Sequence, residues 1–299
     1  MWADQIFQGV LLGGYYALLA CGLSFMFGVM RIVNLAHGSI AILAAYGVWL
    51  AAEQFKISPF LALLALSPVM FGAGWLLQRG VLERSLRSGA LTPLLSTFGL
   101  AVVLDNLMFQ RFGADTRSLA PDIGDFAFNS WSLPGGANVG QLALLTFVVA
   151  VALLGGLQLF LGRTPLGRAI RATAEDPDTA ELVGIDSRKV YSAAAGIALV
   201  TVAIAGTFLA MRATFDPYTG PTQLIFAFET VVIGGTGSLW GTLVGGIALG
   251  VAQSIGAQIN PQGFLIAGHL VFFAVLGGRF LLAGRNPLTL LRAPRKATA

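Results

Sequence analysis

Apolar residues in this chain fill long runs separated by short joints rich in Arg, Gly and Pro. A hydrocarbon core of roughly 30 Å needs about 20 largely apolar residues per helix. Seven runs meet that need: 5–30, 34–52, 57–78, 88–110, 139–162, 190–211 and 263–284. Only Asp105 and Arg279 are charged within them, and Arg279 stands near a run end, where a long side chain reaches the interface. The first run has no basic residue before it and no fitting small-residue cleavage site, so it is read as a retained span. An eighth stretch, 225–257, does not fit one helix. As a continuous helix it would be about 50 Å long, and Gly234, Gly235, Gly237 and Gly241 interrupt it. A short helix over 225–233, a Gly-rich break and a longer helix over 240–257 are expected instead. Consecutive glycines each weaken a helix by about 1 kcal/mol, and irregular backbone at membrane depth persists only when buried in protein or lining a polar cavity. Gly245, Gly246 and Gly250, at close helical spacing, let helix backbones approach.

Composition names the solvent. Apolar residues make up 56% of the 299 residues and charged residues 11%, against roughly 25% charged in a soluble domain. Charge then sets direction. Arg79, Arg84 and Arg87 share one joint, Arg163, Arg168, Arg171, Arg188 and Lys189 another, and Arg279, Arg285, Arg292, Arg295 and Lys296 the carboxyl end. With Arg31 they mark the cytoplasmic face by the positive-inside rule, leaving Lys56, Arg111, Arg117 and Arg212 for the other face. The amino end is then outside and the carboxyl end inside, which requires an odd number of crossings. Seven runs and one further helix give an even number, so 225–257 is expected to cross twice, first with a short or partly unwound segment. The expected fold is all-α: a polytopic transmembrane helical bundle of about eight to nine crossings with one Gly-interrupted helix. A single transmembrane domain over 1–299 carries a cytoplasmic loop at 163–188 and an external loop at 111–138 that caps the outer face. The net charge of +4 follows from this orientation and requires no nucleic acid.

Candidate chemistry is sparse. No Gly-Lys-Ser or Gly-Lys-Thr occurs, so the chain has no phosphate-binding loop and cannot itself use ATP. Cys21 is alone, which excludes an intramolecular disulfide and a cysteine metal cluster. His37 and His269 are too few for a histidine metal site, and no Ser, His and acid set forms a catalytic motif, so no cofactor and no enzyme activity are expected.

Four features remain. Between the first two runs, Asn34 and His37 either hydrogen-bond a polar solute at a break between helices or form a tight turn with Asn34 capping the second helix. Asp105 and Glu229, acids inside apolar stretches, either take a structural hydrogen bond or line a pathway, and His269 reads as a satisfied packing residue. At Gly235 and Gly237 the break demands backbone freedom. The segment 162–186 is too ordered for a linker. Thr164 is placed to cap a helix with Pro165 at its first position, and Leu166 and Ile170 share a face. Pro177 ends that helix, Asp178 is placed to cap a second one, and Gly184 to terminate it in a left-handed conformation. This is a docking handle for a cytosolic partner; the other reading is a solvated loop whose basic residues only set orientation.

Three ordered motifs carry a resemblance over nearly the whole chain: Asn34-Leu-Ala-His-Gly38; Gly167-Arg-Ala-Ile-Arg171 with Asp176, Ala180 and Gly184-Ile185; and Val232-Ile-Gly-Gly-Thr-Gly-Ser238 with Gly241. Together they resemble the branched-chain amino acid permease family of bacterial ABC importers, and the length resembles the smaller of its two permease types. The resemblance implies a multi-pass protein of the bacterial inner membrane. Its implied partners are a second permease, two cytosolic ATPase subunits that use the ATP, a periplasmic solute-binding protein, membrane lipid and an amino-acid substrate. In such importers a cytoplasmic loop of the form Glu-Ala-Ala, three residues, Gly enters a cleft on the ATPase. Asp178-Thr-Ala-Glu-Leu-Val-Gly184 keeps that spacing with Asp and Thr in place of Glu and Ala. The implied docking residues are Gly167, Arg168, Arg171, Asp176, Asp178, Ala180 and Gly184, and the implied solute path or gate holds Asn34, His37, Glu229, Gly235 and Gly237. A permease for urea or short amides shares these motifs, a secondary transporter or channel would lack the ATPase, and a membrane-embedded enzyme is disfavoured because no catalytic set is present.

Overall fold

The computed structural model describes residues 2–89, 91–132 and 138–282. Helix α1 (Trp2–Met30) ends at Arg31, and residues 31–36 are non-helical before α2 (His37–Phe55) begins. The Leu61 amide donates to Ser58 Oγ at 3.4 Å, and Pro59 takes the first position of α3 (Pro59–Leu77), where its missing N–H costs nothing. The basic joint expected as a loop after α3 is helical. The chain continues through a π-helical turn, Gln78–Leu82, into α4 (Glu83–Arg87), because Gln78 and Leu82 are buried against the bundle. The span expected from residue 88 therefore starts later, as α5 (Thr92–Phe112). A 3-10 turn, Pro121–Ala127, and an antiparallel ribbon of β1 (Ser130–Ser132) and β2 (Asn138–Gly140) follow. The remaining helices are α6 (Gln141–Arg163), α7 (Pro165–Glu175), α8 (Pro177–Leu182), α9 (Ser187–Arg212), α10 (Gly220–Gly234), α11 (Leu239–Ile259) and α12 (Gly263–Leu282).

Among the described residues, eight helices are long and apolar enough to cross a membrane. α10 is the short one: 15 residues, or roughly 22 Å. It begins five positions before the apolar run expected at 225, because Tyr15 donates its hydroxyl to Gln223 at 2.7 Å and so removes the cost of a buried amide there. α1 is the axis of the bundle, with no exposed surface from Ala17 to Cys21. Small residues set the directions of its neighbours. Gly9 rests on Gly250 and Val251, Gly13 on Gly246 and Ile247, and Gly28 on Gly237, so α1 and α11 run antiparallel at backbone contact. Gly74 meets Ala195 while Phe60 meets Phe208, which makes α3 antiparallel to α9. Gly234 abuts Gly241 and Gly245 abuts Thr230, making α10 and α11 an antiparallel hairpin about the expected break. Phe228 on Phe272 and Arg279 on Ile233 set α12 parallel to α10. With α10 counted, the passes alternate in direction, α1, α3, α6, α10 and α12 one way and α2, α5, α9 and α11 the other. Trp2 and Leu282 thus lie on opposite faces.

The face bearing α7 and α8 also carries Arg163, Arg168, Arg171, Arg188, Lys189 and Arg279, whereas Arg285, Arg292, Arg295 and Lys296 lie outside the described residues. At the opposite face, Arg117 and Phe215 form a backbone bridge, and the Leu119 amide donates to the Ala210 carbonyl at 2.7 Å, fastening the loop after α5 to the end of α9. A cysteine at exposed Thr116 and one at exposed Glu181 should react with a membrane-impermeant maleimide from opposite sides, buried Cys21 staying silent. Labelling of both from one side would remove the pass through α6.

Two helices begin within the bundle rather than at its ends. His37 Nε2 pairs with the Leu19 carbonyl at 2.7 Å, roughly 16 Å along α1 from Met30. The first turn of α2 lies against that of α10, where a Cβ on Gly38 would overlap the Gly220 carbonyl oxygen.

Candidate functional site

The handle folds as two capped helices. Thr164 Oγ1 accepts from the Gly167 amide at 2.9 Å with Pro165 at the first position of α7, as expected. The cap of α8 is Asp176, not Asp178. Asp176 Oδ1 accepts from the Asp178 and Thr179 amides at 3.0 and 3.1 Å, and Pro177 fills the first helical position, which leaves Asp178 exposed in the first turn. The Thr179 hydroxyl and these amides hold the Asp176 carboxyl below the usual carboxylate range. Gly184 ends the segment with φ 86°, a backbone that side chains disfavour.

What fixes the handle is its inner face. Gly167 packs on Phe160 so closely that a Cβ would overlap the backbone, Ile170 and Thr173 have no exposed surface, and Ala180 is buried. Ser187 donates its hydroxyl to the Pro177 carbonyl at 3.2 Å, and Arg188 pairs with Glu83 at 3.3 Å, tying the start of α9 to α8 and α4. Arg168 and Arg171 are exposed, with Arg168 donating to the Arg163 carbonyl at 3.1 Å. Two apolar residues then stand out at the tip of α8: Leu182 is 87% exposed and Val183 73%. Sequence reading passed over them because an apolar pair in an apolar chain carries no signal; only their position beyond the buried face of a polar segment marks them.

The handle and the Gly-rich break, separate motifs in sequence, share one cavity. It measures about 210 Å³ and is lined by Ile170, Arg171 and Ala174 of α7, Phe25 and Gly28 of α1, and Gly237 and Leu239 at the break. Gly235 and Gly237 adopt φ 99° and 81°, which L side chains rarely tolerate. Ser238 then restarts the helix, accepting from the Gly241 amide at 3.0 Å. Arg279 donates to the Ile233 carbonyl at 2.9 Å, a cation at a helix C-terminus.

The polar residues divide into two groups. Asn34 and His37 are fully buried. Asn34 Oδ1 accepts from the Ala36 amide at 3.0 Å and its carbonyl from the His37 amide at 3.2 Å, a side-chain turn that steers the chain into α2, while Ala36 holds the cap position without a side-chain bond. Asp105, buried on α5, lies beside Ser39 in the first turn of α2, which sets a carboxylate near that helix start. Glu229 is 3% exposed and its Oε1 meets His269 Nδ1 at 2.5 Å, so His269 is the partner of an acid rather than a packing residue. The pair spans 40 residues and two helices, α10 and α12, which sequence spacing does not bring together. Among the described residues no group of three or more His, Cys, Asp and Glu forms a metal site.

Comparison with known proteins places this arrangement. The chain is 32% identical to the high-affinity branched-chain amino acid transport system permease protein BraD of Pseudomonas aeruginosa over 86% of its own length and 87% of that protein. It is 29% identical to the probable branched-chain amino acid transport permease protein LivH of Methanocaldococcus jannaschii, over 93% and 90%. The likeness to the high-affinity permease protein LivM of Escherichia coli is 25%, over 87% of this chain and 66% of that one. The profile of the branched-chain amino acid transport system permease component matches residues 5–276, and the chain, a multi-pass helical membrane protein, belongs to that family of ABC importer permeases.

Proposed function

We propose that this chain is one membrane half of an ATP-driven importer of branched-chain and other hydrophobic amino acids in the bacterial inner membrane. Its partners would be a second permease, two cytosolic ATPase subunits and a periplasmic solute-binding protein; the ATP is consumed by the ATPases, not here. The observation that carries this reading is the handle: two capped helices, anchored through Ile170 and Ala180, that offer Leu182 and Val183 to a cytosolic cleft. Closure of the ATPase pair pushes α8, the rigid inner face passes the movement to α7, and the cavity wall shared by Arg171 and Gly237 delivers it to the hinge between α10 and α11. Coupling of this kind requires that the nucleotide state bind two permease conformations with different free energies. Gly235 and Gly237 supply the backbone freedom for the second conformation.

Proteoliposomes holding the whole complex and its binding protein provide the test. ATP-dependent leucine uptake should be competed by isoleucine and valine and not by urea or acetamide. Competition by the amides alone would move the cargo to that class, and uptake without the ATPases would remove the importer reading.

A further inference from the structure

Beside the Glu229–His269 pair lies a groove of about 300 Å³ formed by Val33 and Leu35 of the non-helical entry to α2, Leu224, Ile225 and Phe228 of α10, and Phe272 of α12. Glu229 is the one polar residue among those that line it. Its Oε1 is taken by His269, whereas its Oε2 is buried with no hydrogen-bond partner. Arg279, the basic residue of α12, is committed to the Ile233 carbonyl further along the helix.

An unpartnered carboxylate oxygen in an apolar wall is costly unless something brings a donor to it. An acyl chain would fill the groove and leave that oxygen unmet. A molecule that joins an aliphatic side chain to a primary ammonium fills the groove and supplies the donor together, in a charge-assisted bond. We propose that this groove is the station in this chain for the transported amino acid: the Glu229 carboxyl, which lines the groove with Oε2 closed off, turns Oε2 outward to accept from the α-ammonium, His269 holds the carboxylate in place through Oε1, and Leu224, Ile225, Phe228 and Phe272 surround the branched side chain. The assignment rests on the importer reading above and adds to it a position and a chemical rule: the ammonium is required, and the side chain is selected by apolar fit. Asn34, between Val33 and Leu35, has no exposed surface and belongs to the turn behind the groove.

The experiment uses the assembled complex with Ile225→Cys, a half-exposed position in the groove, the native Cys21 being buried. The rate of modification by a small membrane-permeant maleimide is followed with and without leucine. Leucine at ten times its half-saturating concentration should slow labelling roughly tenfold, while 4-methylpentanoate, which keeps the side chain and lacks the ammonium, should not. Adding Glu229→Gln, near-isosteric and uncharged, should weaken the protection by leucine about tenfold, and Glu229→Asp should retain part of it. A cysteine that reacts equally with and without leucine marks a lipid-facing groove, and one that never reacts in the complex marks a surface covered by the second permease; either overturns the assignment. Equal protection by 4-methylpentanoate overturns the role of Glu229. Each result is read beside leucine uptake by the same preparation: uptake without protection removes the groove alone, whereas no uptake of leucine by the unaltered chain removes the importer reading.

Discussion

Replacing Leu182 and Val183 together by Asp abolishes ATP-dependent uptake and ATPase co-purification while leaving the protein folded in the membrane. Both side chains are almost free of contact with their own chain, so the substitution does not disturb the buried face of α7 and α8. At an interface, though, losing a hot-spot anchor costs about 2 kcal/mol or more, roughly thirtyfold in affinity, and two carboxylates in an apolar cleft add desolvation. The measurement is retention of the ATPase subunits on affinity-purified permease, with thermal stability in detergent as control. Wild-type retention would dismiss α8 as the docking element and return the segment to a solvated loop.

Gly38→Ala produces a large loss of stability for one added methyl group. Its Cβ would overlap the backbone carbonyl of Gly220, and neither atom belongs to a side chain able to turn aside. Overpacking of this kind costs about 1–3 kcal/mol; a backbone contact belongs at the upper end, lowering Tm by roughly 5–10 °C. Gly156→Ala, the same chemical change in α6 where nothing lies within 4 Å of the added atom, gains up to about 1 kcal/mol of helix propensity. Melting curves of the two variants in one detergent decide the matter. Equal midpoints would mean that the first turns of α2 and α10 do not touch.

The spans were legible because their signal is additive: twenty apolar residues declare a crossing whatever surrounds them. The break after α10 was legible for the same local reason, glycine density, and the positive φ of Gly235 and Gly237 is what that density permits. Caps were read to within two positions. Thr164 is the cap of α7, but at α8 the same Asp-Pro-Asp sequence offers two carboxylates, and only the backbone of Asp176, extended at φ −151°, decides between them. Basic residues were misleading around Arg79 and Arg84, where charge argued for a loop and the burial of Gln78 and Leu82 carried the helix onward. The Glu229–His269 pair and the cavity shared by Arg171 and Gly237 were beyond reach, since both depend on which helices become neighbours, and in hydrocarbon that is settled by small-residue contacts scattered along the chain.

The non-helical entry to α2 also bears on how the protein is made. Its backbone cannot be satisfied by the first two helices: the Leu35 amide waits for Thr97 Oγ1 on α5, at 3.1 Å in the finished protein, and the first turn of α2 waits for Gly220 on α10. During synthesis these groups enter the bilayer long before their partners exist. The amino-terminal third is therefore an unfinished half-socket until the last third has been inserted, and damage near Gly220 will surface as failed biogenesis of helices translated well before it.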